Sequence, residues 1–537
     1  MFVRTSIIPA FMLAAVFALP VAARAAPEEG DVSTAATRAR DARIDAFFAR
    51  ATTELRAAAA DALGDALVLA PPPPPPAMQR VSITSLTAAQ LLSLRKGFAQ
   101  MRAWSSQPHG SANYKRSLVY WANMHAYIGG ACSAASGINN QGMSGLSAQN
   151  ATTPDELATW CTCEHGTSQF LTWHRMYLYY FEQVLRAASG DASLTLPFWD
   201  YETDGHVPPA YRAARYRVGR LLRGNPLYEK NRQAQLNAGT AALDPAVTSP
   251  SNAMSKTSYG PFNGAIEQTP HGAVHCATGV AGCPTGYMGY VPSAGNDPIF
   301  YSHHANIDRL YECWLRVNPS QRLPTGAILT AQFSFIDGTG NLVTRTVSDM
   351  RTTQQLGYSY AGGGGCPLRI HFPIKWLLEE KPIHIYELAG PVRFAPGTTR
   401  VPIRITPDAR KAMLTAIPER GAPPRPQLVL DGLAFDAPPG VLYKVYLEGA
   451  GGKRELVGVL NFFNATAPKH DMPGMDMKAE PPSFDVTDAL KALGTADELK
   501  LALEPSTGLT GVSPEVAARQ ANPKANVRIG AVRMELH

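Results

Sequence analysis

The chain has 537 residues, a formal net charge of +6 and 17% charged residues. That length allows two or three domains with their own cores, and the 45% apolar content excludes a disordered polyelectrolyte. The positive charge is dilute and has no Lys/Arg run, so neither nucleic acid nor an anionic membrane is expected as a partner.

Residues 1–25 read as a cleaved export signal. Arg4 precedes an apolar stretch from Ile7 to Val21, and Ala23-Arg24-Ala25 supplies a small-x-small cleavage site. An uncleaved anchor is the alternative, but about 15 apolar residues fall short of the roughly 20 a span needs. Export to a periplasmic or extracellular compartment permits disulfides. Residues 26–80 form an Ala-rich segment, with a surface helix expected around Ala39 to Leu69. The six prolines Pro71 to Pro76 then make a stiff linker.

From 81 to 360 helical signals dominate. Thr87-Ala-Ala-Gln90 is a capping box ahead of Leu91, Leu92 and Leu94. Trp173, Tyr177, Tyr180, Phe181 and Val184 fall on one helical face. Residues 361–425, with Gly362 to Gly365 at their start, read as a Pro/Gly-rich linker. Beyond them Leu428 to Leu430, Val441 to Leu447 and Val527 to Met534 alternate as strands between turns. The expected fold is a mainly α catalytic domain over 81–360, followed by an all-β sandwich over 426–537.

Placement of the histidines carries the chemistry. His271-Gly-Ala-Val-His275 is spaced to set two imidazoles on one helical face. His303-His304 follows Asp297-Pro298, where an acidic cap precedes a proline at the first helical position. Asp308, four residues past His304, is placed to orient it. Upstream stand His125, His165 and His174. No Glu follows His271, so a His-Glu-x-x-His zinc protease is not supported. Two all-imidazole trios suit copper, because neutral nitrogen donors serve both its oxidation states. A four-helix bundle can hold both ions among inward side chains.

These motifs resemble the type-3 copper family of tyrosinases, catechol oxidases and molluscan haemocyanins. The resemblance rests on Trp121-Ala-Asn-Met-His125, Phe170-Leu-Thr-Trp-His174-Arg-Met-Tyr, Gly264-Ala-Ile-Glu-Gln-Thr-Pro-His271-Gly-Ala-Val-His275 and Asp297-Pro-Ile-Phe-Tyr-Ser-His-His304. Leu196-Pro-Phe-Trp-Asp-Tyr201 and Tyr358-Ser-Tyr360 are also similar to the family.

The resemblance implies a binuclear site, with His125, His165 and His174 on one copper and His271, His275 and His304 on the other. His303 would stand beside the second site, and Glu267 would hold an active-site water as acceptor or base. A helix-start glutamate favoured by the dipole is the simpler reading of Glu267. Cys163, two residues before His165, is placed as in fungal members whose cysteine sulfur is bonded to that histidine. A buried thiol, or a disulfide with Cys161 or another cysteine, is the alternative. If one of the seven cysteines is tied to His165, six remain for three disulfides; Cys276 and Cys283 flank a Gly-rich loop and would pair.

The implied reaction oxidises o-diphenols to o-quinones while dioxygen is reduced to water. Gly272 stands where strong monophenol hydroxylases of the family carry Asn, so diphenol oxidation is favoured. Val291 aligns with the plant gatekeeper Phe, and the smaller side chain implies a more open site. Gly440-Val-Leu-Tyr-Lys-Val-Tyr446, Leu460-Asn-Phe-Phe-Asn464 and Val527-Arg-Ile-Gly-Ala-Val532 resemble the terminal domain that keeps plant enzymes latent. A shield over the site, or a stability domain without gating, are its two readings. The run His470 to Met477 resembles Met-rich copper-capture sequences. A reversible dioxygen carrier like haemocyanin is the alternative function.

Overall fold

The computed structural model describes residues 78–126, 153–160, 162–279, 286–316, 322–361, 384–403, 425–466, 481–494 and 499–536. The export signal, the Ala-rich segment with its prolines, Gly362 to Gly365 and His470 to Met477 lie outside these residues. Pro76 to His537 form one unit by their mutual contacts.

The first described element is the short strand β1 (Met78–Arg80). Helix α1 (Ala88–Trp104) starts at the expected capping box, with Gln90 N donating to Thr87 Oγ1 at 3.2 Å and Thr87 N to Gln90 Oε1 at 2.9 Å. Helix α2 (Leu118–His125) is buried over its whole length, which explains why it shows no polar face. Helix α3 (Phe170–Ser189) buries the predicted face of Trp173, Tyr177, Tyr180, Phe181 and Val184, and stops at Gly190 with φ +71°. A hairpin, β2 (Arg215–Val218) and β3 (Leu221–Gly224), follows it.

Helix α4 (Tyr259–Ile266) is joined to α5 (Ala273–Thr278) by a widened turn over Glu267–Gly272, where Thr269 is extended at φ −142°. Pro270 sits in this turn and cannot donate to a helical ladder. The kink at Thr269 precedes both His271 and His275, and Gly272 and Ala273 between them keep helical backbone angles, so the pair follows the kink on one helical stretch. Helix α6 (Ile299–Leu315) begins where Asp297 accepts from Ile299 N at 3.1 Å. Arg232 holds that carboxylate from both sides at 2.6 and 2.7 Å. The hairpin β4 (Gln332–Ile336) and β5 (Leu342–Thr346) lays Phe335 on Tyr180, with ring centroids 5.5 Å apart.

Strand β6 (Tyr358–Tyr360) pairs in parallel with β1 and delivers two hydroxyls to Asp308. Tyr358 and Tyr360 donate to Asp308 Oδ2 at 2.5 and 2.7 Å, while Arg175 Nε donates to Oδ1 at 2.7 Å. The expected role of Asp308 is corrected here. Among the described residues its hydrogen bonds go to α3 and β6, not to His304, because a buried carboxylate satisfies its oxygens with the nearest guanidinium and hydroxyls. Burial alone would raise its pKa, but Arg175, Arg80 and the two tyrosines hold it below the usual carboxylate range.

Strands β7 (His384–Ala389), β8 (Thr399–Ile403), β9 (Pro426–Asp431), β10 (Leu442–Glu448), β11 (Arg454–Leu460), β12 (Ser483–Asp485), β13 (Leu499–Ser506) and β14 (Ala531–Leu536) form two four-stranded antiparallel sheets, ordered β12-β9-β14-β7 and β11-β10-β13-β8. The predicted strands fall within β9, β10 and the pair Arg528–Ile529 with β14. Strands β7 and β8 lie inside the stretch read as a linker. Proline and glycine in the intervening turns hid them, and both are outer strands of their sheets.

The sheets seat on the helical part through polar contacts. Lys444 Nζ reaches Asp244 at 2.6 Å, Lys256 Nζ donates to Gln427 Oε1 at 2.6 Å, and Gln233 Nε2 donates to the Thr507 carbonyl at 3.0 Å. A Cβ added at Gly508 would fall 2.4 Å from the Ala277 Cβ, so only glycine lets this loop approach α5 so closely.

Candidate metal centre

Two groups of buried side chains meet between α2, α3, α5 and α6. His125, Cys163, His165 and His174 form the first, and His271, His275, His303 and His304 the second; within each, one ligand atom per residue lies within 4.8 Å of all the others. His125 closes α2, Cys163 and His165 stand in the loop before α3, and His174 rides its second turn. His271 projects from the kinked turn, His275 from α5 and the His303–His304 pair from α6. The two groups adjoin each other: the His174 and His304 rings stack at 4.5 Å, and His165 and His271 at 5.7 Å.

The imidazoles are held from behind. Nδ1 of His125, His174, His271 and His275 lies 3.0, 2.7, 3.0 and 2.8 Å from the carbonyls of Val291, Phe170, Glu267 and Met288. Neutral imidazole that donates Nδ1–H to a carbonyl turns a lone pair on Nε2 inward, the arrangement of metal-ligating histidine. Nε2 of His125 and of His271 is buried with no hydrogen-bond partner, which outside a metal site is costly. Burial pushes His125 and His303 down to about 3. His174, His271, His275 and His304 are also held well below the ordinary value, by burial first and then by neighbouring histidines. A neutral nitrogen set of this kind fits two copper ions.

Of the remaining sequence candidates, the structure gathers Cys163, Glu267, Gly272 and Val291 at the same place. Cys163 lies in no disulfide, with Sγ 3.2 Å from His165 Nδ1 and 3.6 Å from His174 Nε2. Cys276 and Cys313 are in disulfides, whose partner cysteines lie outside the described residues. Glu267 is buried, and its Oε1 accepts from Gly166 N and from Asn464 Nδ2, each at 2.6 Å. Burial pushes this carboxyl up to about 8 despite both donors. Val291 is fully buried and acts through its carbonyl on His125.

The open site implied by that valine is not what the structure shows, because the C-terminal half reaches in. Phe463 stacks on His275 with centroids 4.0 Å apart and an interplanar angle of 7°, and stands edge-on to His271 and His165 at 5.5 and 5.9 Å. Asn461 accepts from Phe463 N at 3.1 Å and donates to the Gln268 carbonyl at 2.8 Å. A Cβ at Gly272 would lie 2.5 Å from Asn461 Oδ1, so glycine makes the room for this contact. Asn461, Phe463 and Asn464 were not picked out individually by sequence reasoning; two asparagines bracketing Phe-Phe after a strand are the trace they leave.

This fold and these paired histidine clusters define a type-3 copper oxidase. Residues 115–225 and 208–317 match the family model described as the common central domain of tyrosinase, and the two histidine groups within them fit the binuclear copper cofactor of that family. A tyrosinase of Hahella sp. (strain CCB-MM4) is 27% identical over 432 residues, covering 73% of this chain and 84% of the relative. Chloroplastic polyphenol oxidase A1 of Vicia faba is 32% identical over 228 residues, covering 36% of this chain and 37% of its own length. Among solved structures, latent apple tyrosinase shares the fold at TM-score 0.53 with 21% identity, over 87% of this chain and 98% of the other. Recombinant latent aurone synthase does so at 0.56 with 18% identity, over 87% and 90%.

Proposed function

We propose that the protein is an exported o-diphenol oxidase that turns o-diphenols into o-quinones, two diphenols giving two quinones as one dioxygen becomes two waters. Bound copper would supply the binding and reduction of dioxygen. His125, His165 and His174 would hold one ion, and His271, His275 and His304 the other. The observation that carries this reading is the pair of buried histidine groups whose anchored rings turn inward. His303 lines the second group, its ring centroid 4.6 Å from that of His275.

Glu267 is the proton-handling group. It lies beside His165 through Gly166 and beside His271 through its own carbonyl, and a carboxyl tuned to about 8 is poised to exchange a proton near neutral pH. An ordinary phenol, with a pKa near 10, must lose its proton to bind as an anion. Gly272 offers Glu267 no side-chain partner, which supports diphenol over monophenol chemistry. The Cys163 sulfur, 3.2 Å from His165 Nδ1, is placed for a thioether to that ring; loss of two hydrogen masses from the peptide carrying both residues would register it.

The C-terminal sheets, read as a sandwich, are a cover that keeps the enzyme latent. Phe463 occupies the face of His275 that a flat phenol ring would take. Oxygen uptake with catechol, measured on the copper-loaded chain before and after limited proteolysis between residues 361 and 425, tests both parts. A rise in turnover on cleavage supports a latent oxidase; unchanged turnover removes latency, and oxygen binding without quinone would favour a carrier. The names of the relatives, tyrosinase and polyphenol oxidase, favour the oxidase.

A further inference from the structure

Among the described residues the hairpin β2–β3 pairs with no other strand, and its residues stand largely exposed. Its turn places Gly219 at φ +59° ahead of Arg220, as a two-residue hairpin turn with glycine first requires. Register sets Tyr216 opposite Arg223, Arg217 opposite Leu222 and Val218 opposite Leu221. Arg215, Arg217, Arg220 and Arg223 are all exposed, and none of them makes an ion pair with a described residue. Between Gly205 and Tyr228 the chain has no Asp or Glu. Leu221 and Leu222, 58% and 51% exposed, are the two most exposed large apolar side chains among the described residues. The arginines are spaced along the sequence and make no basic run; the hairpin collects them around two adjacent leucines.

We infer that this hairpin docks the protein on an anionic lipid surface. Guanidinium groups pair with lipid phosphates while the leucines at the tip enter the boundary between headgroups and acyl chains. A second copy of the chain is disfavoured, since a two-fold contact would set arginines against arginines. Single-stranded nucleic acid binds through stacked aromatics as well as charge. The hairpin's one aromatic, Tyr216, lies under the Arg95 guanidinium at 4.3 Å, and the exposed leucines have no role on phosphate alone.

Flotation of the full chain with phosphatidylcholine vesicles, with and without phosphatidylglycerol, tests the inference. Binding is expected only with the anionic lipid, and is expected to fall at high salt. At about 1 kcal/mol per arginine near the surface, the R217S/R220S/R223S variant should bind on the order of a hundredfold more weakly. L221S/L222S should weaken binding roughly tenfold through lost insertion. Circular dichroism of each variant reports that the fold is kept. Failure of the wild-type chain to float, equal binding to neutral vesicles, or unchanged binding of the arginine variant would overturn the inference. Unchanged binding of the leucine variant would overturn the lipid assignment, leaving a nonspecific polyanion contact.

Discussion

Phe463 and His275 face each other as parallel rings 4.0 Å apart, although one belongs to the C-terminal half and the other to the helical half of the chain. The contact closes the metal centre from above. On the proposed latent reading, Phe463 would have to leave before a ring of similar size could take its place, which would tie access to the stability of the domain seam. An aromatic pair contributes about 0.5–1.5 kcal/mol beyond its buried area. Phe463→Ala should therefore raise catechol-dependent oxygen uptake of the uncleaved chain by roughly two- to tenfold, and bring it closer to the proteolysed enzyme.

Gly272 offers a second test of the proposed cover. A side chain there meets Asn461, whose amide is fixed by the Phe463 N–H and the Gln268 carbonyl. Gly272→Ala should displace Asn461 and Phe463 together, increasing the activity of the uncleaved chain while leaving the cleaved chain little changed. Activity ratios before and after cleavage measure this.

Glu267→Gln should retain copper, measured by metal analysis, because the carboxylate is not among the grouped histidine donors. Its turnover of catechol should fall on the order of a hundredfold or more, the usual contribution of a positioned acid or base.

The copper-free protein should show opposing pH effects. His125 and His303, at about 3 when folded and 6.5 when unfolded, stay neutral in the native state. The unfolded chain binds more protons below 6.5, so stability falls as pH drops from there toward 3. Glu267 is raised from 4.5 to about 8. Its contribution is full below 4.5 and is lost as pH rises through 8. Thermal melts of copper-free protein across this range should show both limbs, and Glu267→Gln should flatten the alkaline one. Copper should suppress the acidic limb, since the metal competes with protons for the same nitrogens.

Asp308→Ala separates an anchor from a ligand orienter. Removing the carboxylate leaves Arg175 with Glu312 and Arg80 with Glu182 as their remaining acidic partners and takes the acceptor from the Tyr358 and Tyr360 hydroxyls, which costs about 1–3 kcal/mol of stability. The copper affinity of the folded remainder should change little, as titration below the melting temperature would show.

The copper chemistry was written in the sequence because each histidine sits in a local motif whose spacing or cap fixes its direction. His125 ends a helix, His304 follows the Asp297 cap, and His271 and His275 are four residues apart. The Thr87 capping box and the buried face of α3 were legible for the same reason, since both depend on residues within a few turns of each other. Strands β7 and β8 were not, because their pairing partners lie more than 90 residues away and their local composition is that of a linker. Asp308 was misplaced by its spacing to His304: only the fold brings Arg175, Tyr358 and Tyr360 within hydrogen-bond reach. The cover was decided in the same way. Phe463, Asn461 and Asn464 meet His275, Gly272 and Glu267 across almost 200 residues of chain, and the arginines of the hairpin join its leucines only through strand register. Donor type and spacing are local properties, so the sequence by itself determined a dicopper oxidase. Closure and exposed charge depend on which distant surfaces pack together, and only the tertiary structure decided those.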